Sequence, residues 1–259
     1  MRCSRLFQRS VCAFCFLLSS NSAFVQAQQQ ASKNSTFPFP EKLTYRVEWR
    51  LITAGLATVK LSHDTPDDWE FNLNVESAGL VTRLYRVLDS YRVVGNQKFC
   101  AATSMLDAQE GKRHTVTRMT FENTRHKVTY DEHDLLKNLN VKRELDIAPC
   151  TYEIAGALAA LRTMNIDVGK SATFPITDGK KMVNAKIEAQ GKETISIEGK
   201  SYPSTRFEAF VFDNVLYRRK GRLFIWVTDD PNHLPVQFRL QLGFPIGTIT
   251  LELEKQEKL

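Results

Sequence analysis

The residue types best suited to acid–base chemistry sit together in one short stretch near the end of the chain. Asp229, Asp230 and His233 follow Trp226 within the run from Trp226 to Pro235. Two carboxylates and an imidazole can pass protons near neutral pH. The same types also build a plain turn, because an aspartate accepts hydrogen bonds from amides two residues on and Pro231 fixes the bend. A second group, His126, Asp131, Glu132, His133 and Asp134, has side chains that ligate metals. Its spacing fits no zinc signature and no H-E-x-x-H occurs, so a solvated turn over Asp131 to Asp134 is expected, with no metal and no other cofactor implied. There is no G-x-S-x-G elbow, no glycine-rich phosphate loop and no Cys/His nucleophile pair, which weighs against an enzyme.

Two further sets could bind rather than react. Tyr217-Arg218-Arg219-Lys220-Gly221-Arg222 is a basic run, and the guanidinium forks of Arg218, Arg219 and Arg222 suit phosphate or carboxylate. Aromatic side chains recur at alternating positions, among them Trp49, Phe71, Phe210, Phe224 and Trp226. Inside a small barrel most such rings fill a core; in a sheet that stays partly open they line an apolar cavity suited to an acyl chain.

The elements that must position these residues are strands. From Gly221 to Leu253 the pattern gives a three-stranded meander. Leu223 to Thr228 is apolar on both faces and is expected to be covered on both. The next two strands alternate apolar and polar residues with a period of two. The same period marks Leu43 to Leu51 and Trp69 to Val75. Shorter strands follow to Leu145, with a helical turn or two over Leu80 to Asp89. One helix, Tyr152 to Met164, interrupts them, with Thr151 as its expected cap and Glu153 near the positive end of its dipole. Strands are expected again at Ser171 to Ile176, Met182 to Ala189, Glu193 to Ile197 and Thr205 to Phe212. The fold class is therefore mostly β: an antiparallel curled sheet, or partly open barrel, with one packed central helix.

Residues 1–27 read as a secretory signal, with Arg2, Arg5 and Arg9 before a short apolar core and cleavage near Ala27. That core is too short to span a bilayer, and no later segment is apolar enough. Residues 28–40 read as a linker and residues 41–259 as a single β domain. The formal charge is +6 over the 259 residues. Removing three arginines and no acids leaves about +3, too weak and scattered for a nucleic-acid binder. The chain from residue 28 keeps two cysteines, Cys100 and Cys150, and in an exported protein these are expected to pair.

The segments LTYRVEWRLITAGLATVKL, ALAALR, FPITDGKKMVNAKI, KETISIEGKSYPSTRFEAF and GRLFIWVTDDPNHLPVQFRLQLGFPIGTITLEL occur in an order that resembles the exported bacterial family DUF3108. The resemblance runs from about Glu41 to Glu254, and W-x-T-D-D-x-x-x-x-P is its most specific piece. One departure stands before the helix, where the family's Asp-Pro-x-Ser pattern is replaced by Pro149-Cys150-Thr151-Tyr152. The resemblance implies a β-rich envelope protein and no reaction. The leading expectation is a non-catalytic periplasmic module that binds or assembles an amphipathic or anionic envelope component, a lipid or a glycan. A hydrolase of an envelope polymer acting through Asp229, Asp230 and His233, and a scaffold that binds another protein along a strand edge, are the alternatives.

Overall fold

The computed structural model describes residues 40–259 except 64 and 66. The expected signal, and the linker up to residue 39, lie outside the described residues. Among the described residues, fourteen strands form one antiparallel sheet. The first group is β1 (Glu41–Trp49), β2 (Ile52–Ser62), β3 (Asp68–Ser77), helix α1 (Gly79–Leu84), β4 (Val87–Asn96), β5 (Ala101–Glu110), β6 (Arg113–Glu122), β7 (Lys127–Asp134) and β8 (Leu139–Asp146). Helix α2 (Ile154–Arg162) follows. The second group is β9 (Ser171–Thr177), β10 (Met182–Ile197), β11 (Lys200–Phe210), β12 (Gly221–Thr228), β13 (Pro235–Leu242) and β14 (Thr248–Lys258).

Within each group consecutive strands pair, and β1 joins the two groups by pairing with both β2 and β14. The order is β8-β7-β6-β5-β4-β3-β2-β1-β14-β13-β12-β11-β10-β9, so the ladder ends at β8 and β9 and is not closed by strand pairing. The sheet curls until the β9–β10 turn meets β6 and β7. Gly179 lies against Tyr130 and Met119, where a Cβ would come within 2.3 Å of the Tyr130 ring, and Lys180 pairs with Glu132 at 3.4 Å. The chain ahead of α2 also spans the seam. Ala101 N–H donates to the Thr151 carbonyl, and Tyr152 exchanges backbone bonds with Pro175 and Thr177. Cys100 and Cys150 are joined by a disulfide at the same place.

Alternation decides what faces inward. Leu43 and Tyr45 of β1, Ala57 of β2, Phe71 of β3 and Ile225 of β12 point to the hollow of the curl and are buried. β12 is covered on both faces, as its composition predicts. Its outward residues Phe224 and Trp226 lie under the β10–β11 hairpin, where Trp226 Nε1 donates to Glu193 at 2.9 Å. Arg46 fastens that hairpin by pairing with Glu198 at its tip and with Glu252 and Glu254 on β14.

Three local expectations are corrected. The helix is shorter than its pattern suggests, and its cap is Glu153, whose carboxylate accepts from Ile154 N–H at 3.0 Å. The Thr151 hydroxyl instead donates to the Ala148 carbonyl, and Thr151 lies two residues before the cap position. Asp131 to Asp134 is not a turn but the second half of β7, paired on both sides, with Lys142 beside Asp131 and Lys180 beside Glu132. The turn falls instead after Asp134. Finally, the two strands expected between Met182 and Ile197 are one strand of 16 residues, continued through a bulge between Ala189 and Gly191.

Candidate functional site

Helix α2 lies along the inside of the curl and does not fill it. It is rich in alanine, which favours a helix and keeps it slim. Nine residues give a length of about 14 Å. Between α2 and the sheet is a cavity of about 400 Å³. Its walls are hydrocarbon from Leu43, Ala57, Leu73, Ile187, Ile225 and Leu251 on the sheet, and from Ala157, Leu158 and Leu161 on α2. A cavity with such walls does not hold water well and accepts apolar guests. The volume is within the range of small-ligand sites, roughly 300–1,000 Å³.

The two ends of α2 differ. At its C-terminal end Arg162, 3% exposed, pairs with Glu41, 1% exposed. Its Nε and Nη2 donate to the carbonyls of His233 and Asn232 at 3.0 and 3.3 Å, and His233 Nδ1 donates back to the Arg162 carbonyl at 2.7 Å. This cluster closes the floor of the cavity. Nearby, the Tyr45 hydroxyl donates to the Pro235 carbonyl at 2.8 Å, and burial raises the pKa of that phenol. At the N-terminal end the cavity opens. Among its lining residues Ile154 is 40% and Tyr217 37% exposed, and Phe212 and the stem of Lys186 stand beside them. Just below this mouth, Glu153 is buried and receives the Tyr91 hydroxyl, the Ser104 hydroxyl and the Ile154 amide. Burial raises the Glu153 carboxyl above the usual range, against the pull of those donors.

The residues singled out by type fall in different places. Of the five aromatic candidates, Phe71 lines the cavity. Trp49 is at the end of β1, where its Nε1 donates to the Ile246 carbonyl at 2.7 Å. Phe210 closes β11, half-exposed under Lys186. Phe224 and Trp226 are on the outer face, stacked beneath Arg222 and Arg239. Of the basic run, Arg222 grips Glu208 with two bonds of 2.7 and 2.8 Å, while Arg218 and Arg219 are exposed directly after Tyr217 at the mouth.

The acid–base trio sits at the floor end. Asp229 and His233 share a smaller polar cleft of about 160 Å³ with Lys192 and Thr205. Asp229 accepts the Thr205 hydroxyl at 2.7 Å and pairs with Lys192 at 3.3 Å. Asp230 turns away to accept the Asn232 amide at 2.7 Å. The histidines of the charged group are apart: His126 precedes β7 and His133 is near its far end. Among the described residues no three His, Cys, Asp or Glu side chains are grouped to hold a metal ion. No helix of the described residues is long and apolar enough to cross a membrane. Two functional-looking features escape a reading by residue type: the Arg162–Glu41 pair and the Glu153–Tyr91–Ser104 cluster. The one available signal is that Glu153 and Arg162 are the charged residues flanking an otherwise apolar helix.

The fold and the cavity define a class: an unclosed, barrel-like antiparallel sheet plugged by one helix. Residues 44–254 match the family described as Protein of unknown function (DUF3108), and the chain belongs to that family. No curated protein matches the sequence. Among solved structures, the chain is similar to a β-barrel-like protein of domain of unknown function DUF1849 from Brucella abortus. That match has 8% identity and a TM-score of 0.56 over 85% of this chain and 98% of that one, a likeness of fold alone. A protein with a YmcC-like fold from Bacteroides fragilis matches at 9% identity and a TM-score of 0.33, over 86% of this chain and 99% of that one. A DUF1089 family protein from Pseudomonas aeruginosa matches at 8% and 0.29, over 78% and 90%.

Proposed function

We propose that the protein is a non-catalytic binding module of the bacterial periplasm that holds the apolar chain of an amphipathic, anionic envelope component. The observation that carries this reading is the hydrocarbon-walled cavity of about 400 Å³ between α2 and the sheet, open at one end and sealed at the other by Arg162. The chain of a lipid would lie along α2. Its charged head would remain at the mouth, where Arg218 and Arg219 follow Tyr217. Arg222 is committed to Glu208 and has no part in this.

The hydrolase reading finds less support. Asp229, Asp230 and His233 have separate hydrogen-bond partners, and His233 serves to clamp the end of α2. The scaffold reading would use the exposed edge strand β8, which carries Lys142, Arg143 and Glu144, charges of the kind that discourage edge pairing.

The test is binding of a fluorescent fatty acid, cis-parinaric acid, to lipid-stripped protein. Saturable binding at one site is expected. Ala157→Trp, which places a large ring in the cavity, should weaken it at least tenfold with little change in melting temperature. Arg218→Ala with Arg219→Ala should weaken the acid and leave a neutral acyl alcohol unaffected. Absence of saturable binding by the native chain, together with no lipid in organic extracts of the purified protein, would reject the proposal.

A further inference from the structure

In an antiparallel ladder every odd-to-even connection emerges at one rim of the sheet and every even-to-odd connection at the other. The two rims of this sheet have different surfaces. The cavity opens at the odd-to-even rim. Its connections touch one another around the curl: Arg50 donates to the Ile246 carbonyl, Gly111 N–H to the Arg86 carbonyl, and Lys181 to the Asn214 carbonyl.

Most large apolar side chains that the described residues expose lie on this rim. Leu51 is 94% and Phe244 95% exposed, each at the tip of a turn. Helix α1 buries none of its residues and presents Leu80 and Leu84, with Tyr85 after it. Leu135 and Leu136 occupy the β7–β8 turn in the same way. Among the described residues, the connections of the opposite rim, including the C-terminus, expose Val168 and Leu259, and Ile154, which begins α2 inside the curl at the cavity mouth.

Charge divides along the same line. The mouth-rim connections carry Arg83 and Arg86 near α1, Lys112 between β5 and β6, and Arg218, Arg219 and Lys220 before β12. The only acids within those connections are Asp178 and Asp213. Asp134, at the end of β7, is neutralised by Lys137. Among the described residues, the connections of the opposite rim set the acids Asp67, Glu153, Asp167, Glu198, Asp229 and Asp230 against the cations Lys98, Arg125, Arg162 and Lys170, so acids prevail there.

Separate apolar tips set among lysine and arginine match the composition of a surface that lies on an anionic lipid layer, with greasy tips inserted and cations over the head groups. A protein partner would more often present a continuous apolar patch than tips spread around a ring. We propose that the mouth rim docks on an anionic phospholipid surface, which brings the cavity opening to face the lipid. The docking does not depend on what the cavity holds.

The test is co-sedimentation of the chain from Gln28 onward, which contains every strand of the sheet, with vesicles. One set is phosphatidylglycerol and phosphatidylethanolamine, the other neutral phosphatidylcholine. Binding to the anionic vesicles should exceed that to the neutral ones by at least tenfold, and should fall at least tenfold between low salt and half-molar salt. Leu80→Ser with Leu84→Ser, and separately Phe244→Ser, should each lower binding several-fold; none of these side chains is buried, so melting temperature should not move. Arg218→Glu with Arg219→Glu should do the same through charge. Equal binding to both vesicle types, no binding to either, or anionic binding untouched by all three variants would overturn the proposal. Binding of cis-parinaric acid by the Phe244→Ser chain, measured without vesicles, should be unchanged, which separates this test from that of the cavity.

Discussion

Removing Arg162 should unfold the floor of the cavity, and the size of the effect follows from its contacts. Arg162→Met keeps a side chain of similar length and removes the charge. Glu41, 1% exposed, is left with the Gln256 amide donor at 3.0 Å and without its cation. Stranding one member of a buried ion pair costs about 3–5 kcal/mol. The His233 and Asn232 carbonyls also lose donors, at roughly 1 kcal/mol each where no water replaces them. The expected loss is therefore ~5 kcal/mol, or about 10–20 °C in melting temperature for a chain of this size. Urea unfolding at unchanged m-value gives the stability difference. Glu41→Leu combined with Arg162→Met should recover most of it, because the double change leaves no unpaired buried charge, and the coupling from the four-way cycle should exceed about 2 kcal/mol. A single-variant loss below about 1 kcal/mol, or two losses that simply add, would refute the view that this pair pins the helix.

Three other outcomes are expected. Replacing Cys100 and Cys150 by serine should cost about 4 kcal/mol on the chain-entropy estimate for a separation of 50 residues, read by denaturant unfolding, and non-reducing peptide maps should show the two joined. Asp89 has its carboxyl raised to about 6, chiefly by burial and then by Glu110 and Asp107. A raised acid favours the folded state when protonated, so its contribution is present below about pH 4 and is lost as pH rises through 6. Asp89→Asn should flatten the melting curve over that window and raise stability at pH 7; a loss at pH 7 would count against it. Gly156→Ala should destabilise by about 1–3 kcal/mol although alanine is the better helix former. Its Cβ would lie 2.4 Å from the Phe99 carbonyl, so α2 must move away from the β4–β5 turn; a gain in thermal stability would show that it need not.

Much of the architecture was legible because a period of two is a local signal. The strands from Leu43 and from Trp69, the meander after Gly221 and the double coverage of β12 all follow from it. Double coverage also marks where the pattern stops informing. When Leu223 and Ile225 alternate with Phe224 and Trp226, nothing local says which pair meets the hollow, and the bulkier aromatics went outside under the β10–β11 hairpin. Charge density misled at Asp131 to Asp134, which resembles a turn until cross-strand cations Lys142 and Lys180 are in place. The cap was misassigned because Thr151 and Glu153 are both competent acceptors, and only the three-dimensional path commits the threonine to Ala148. The floor cluster was hidden for a different reason. Glu41, Arg162 and His233 lie far apart along the chain, and no spacing rule connects them.

The missing hydrogen-bonded seam between β8 and β9 has a mechanical consequence. A barrel sealed all round has a fixed bore, since widening it means tearing a ladder. This one is a split collar. It can gape by parting the Tyr152 bridge to β9 and the Gly179–Lys180 tip from Tyr130 and Glu132, while every strand keeps its neighbours. Widening the bore therefore breaks a few contacts along one line and tears no ladder.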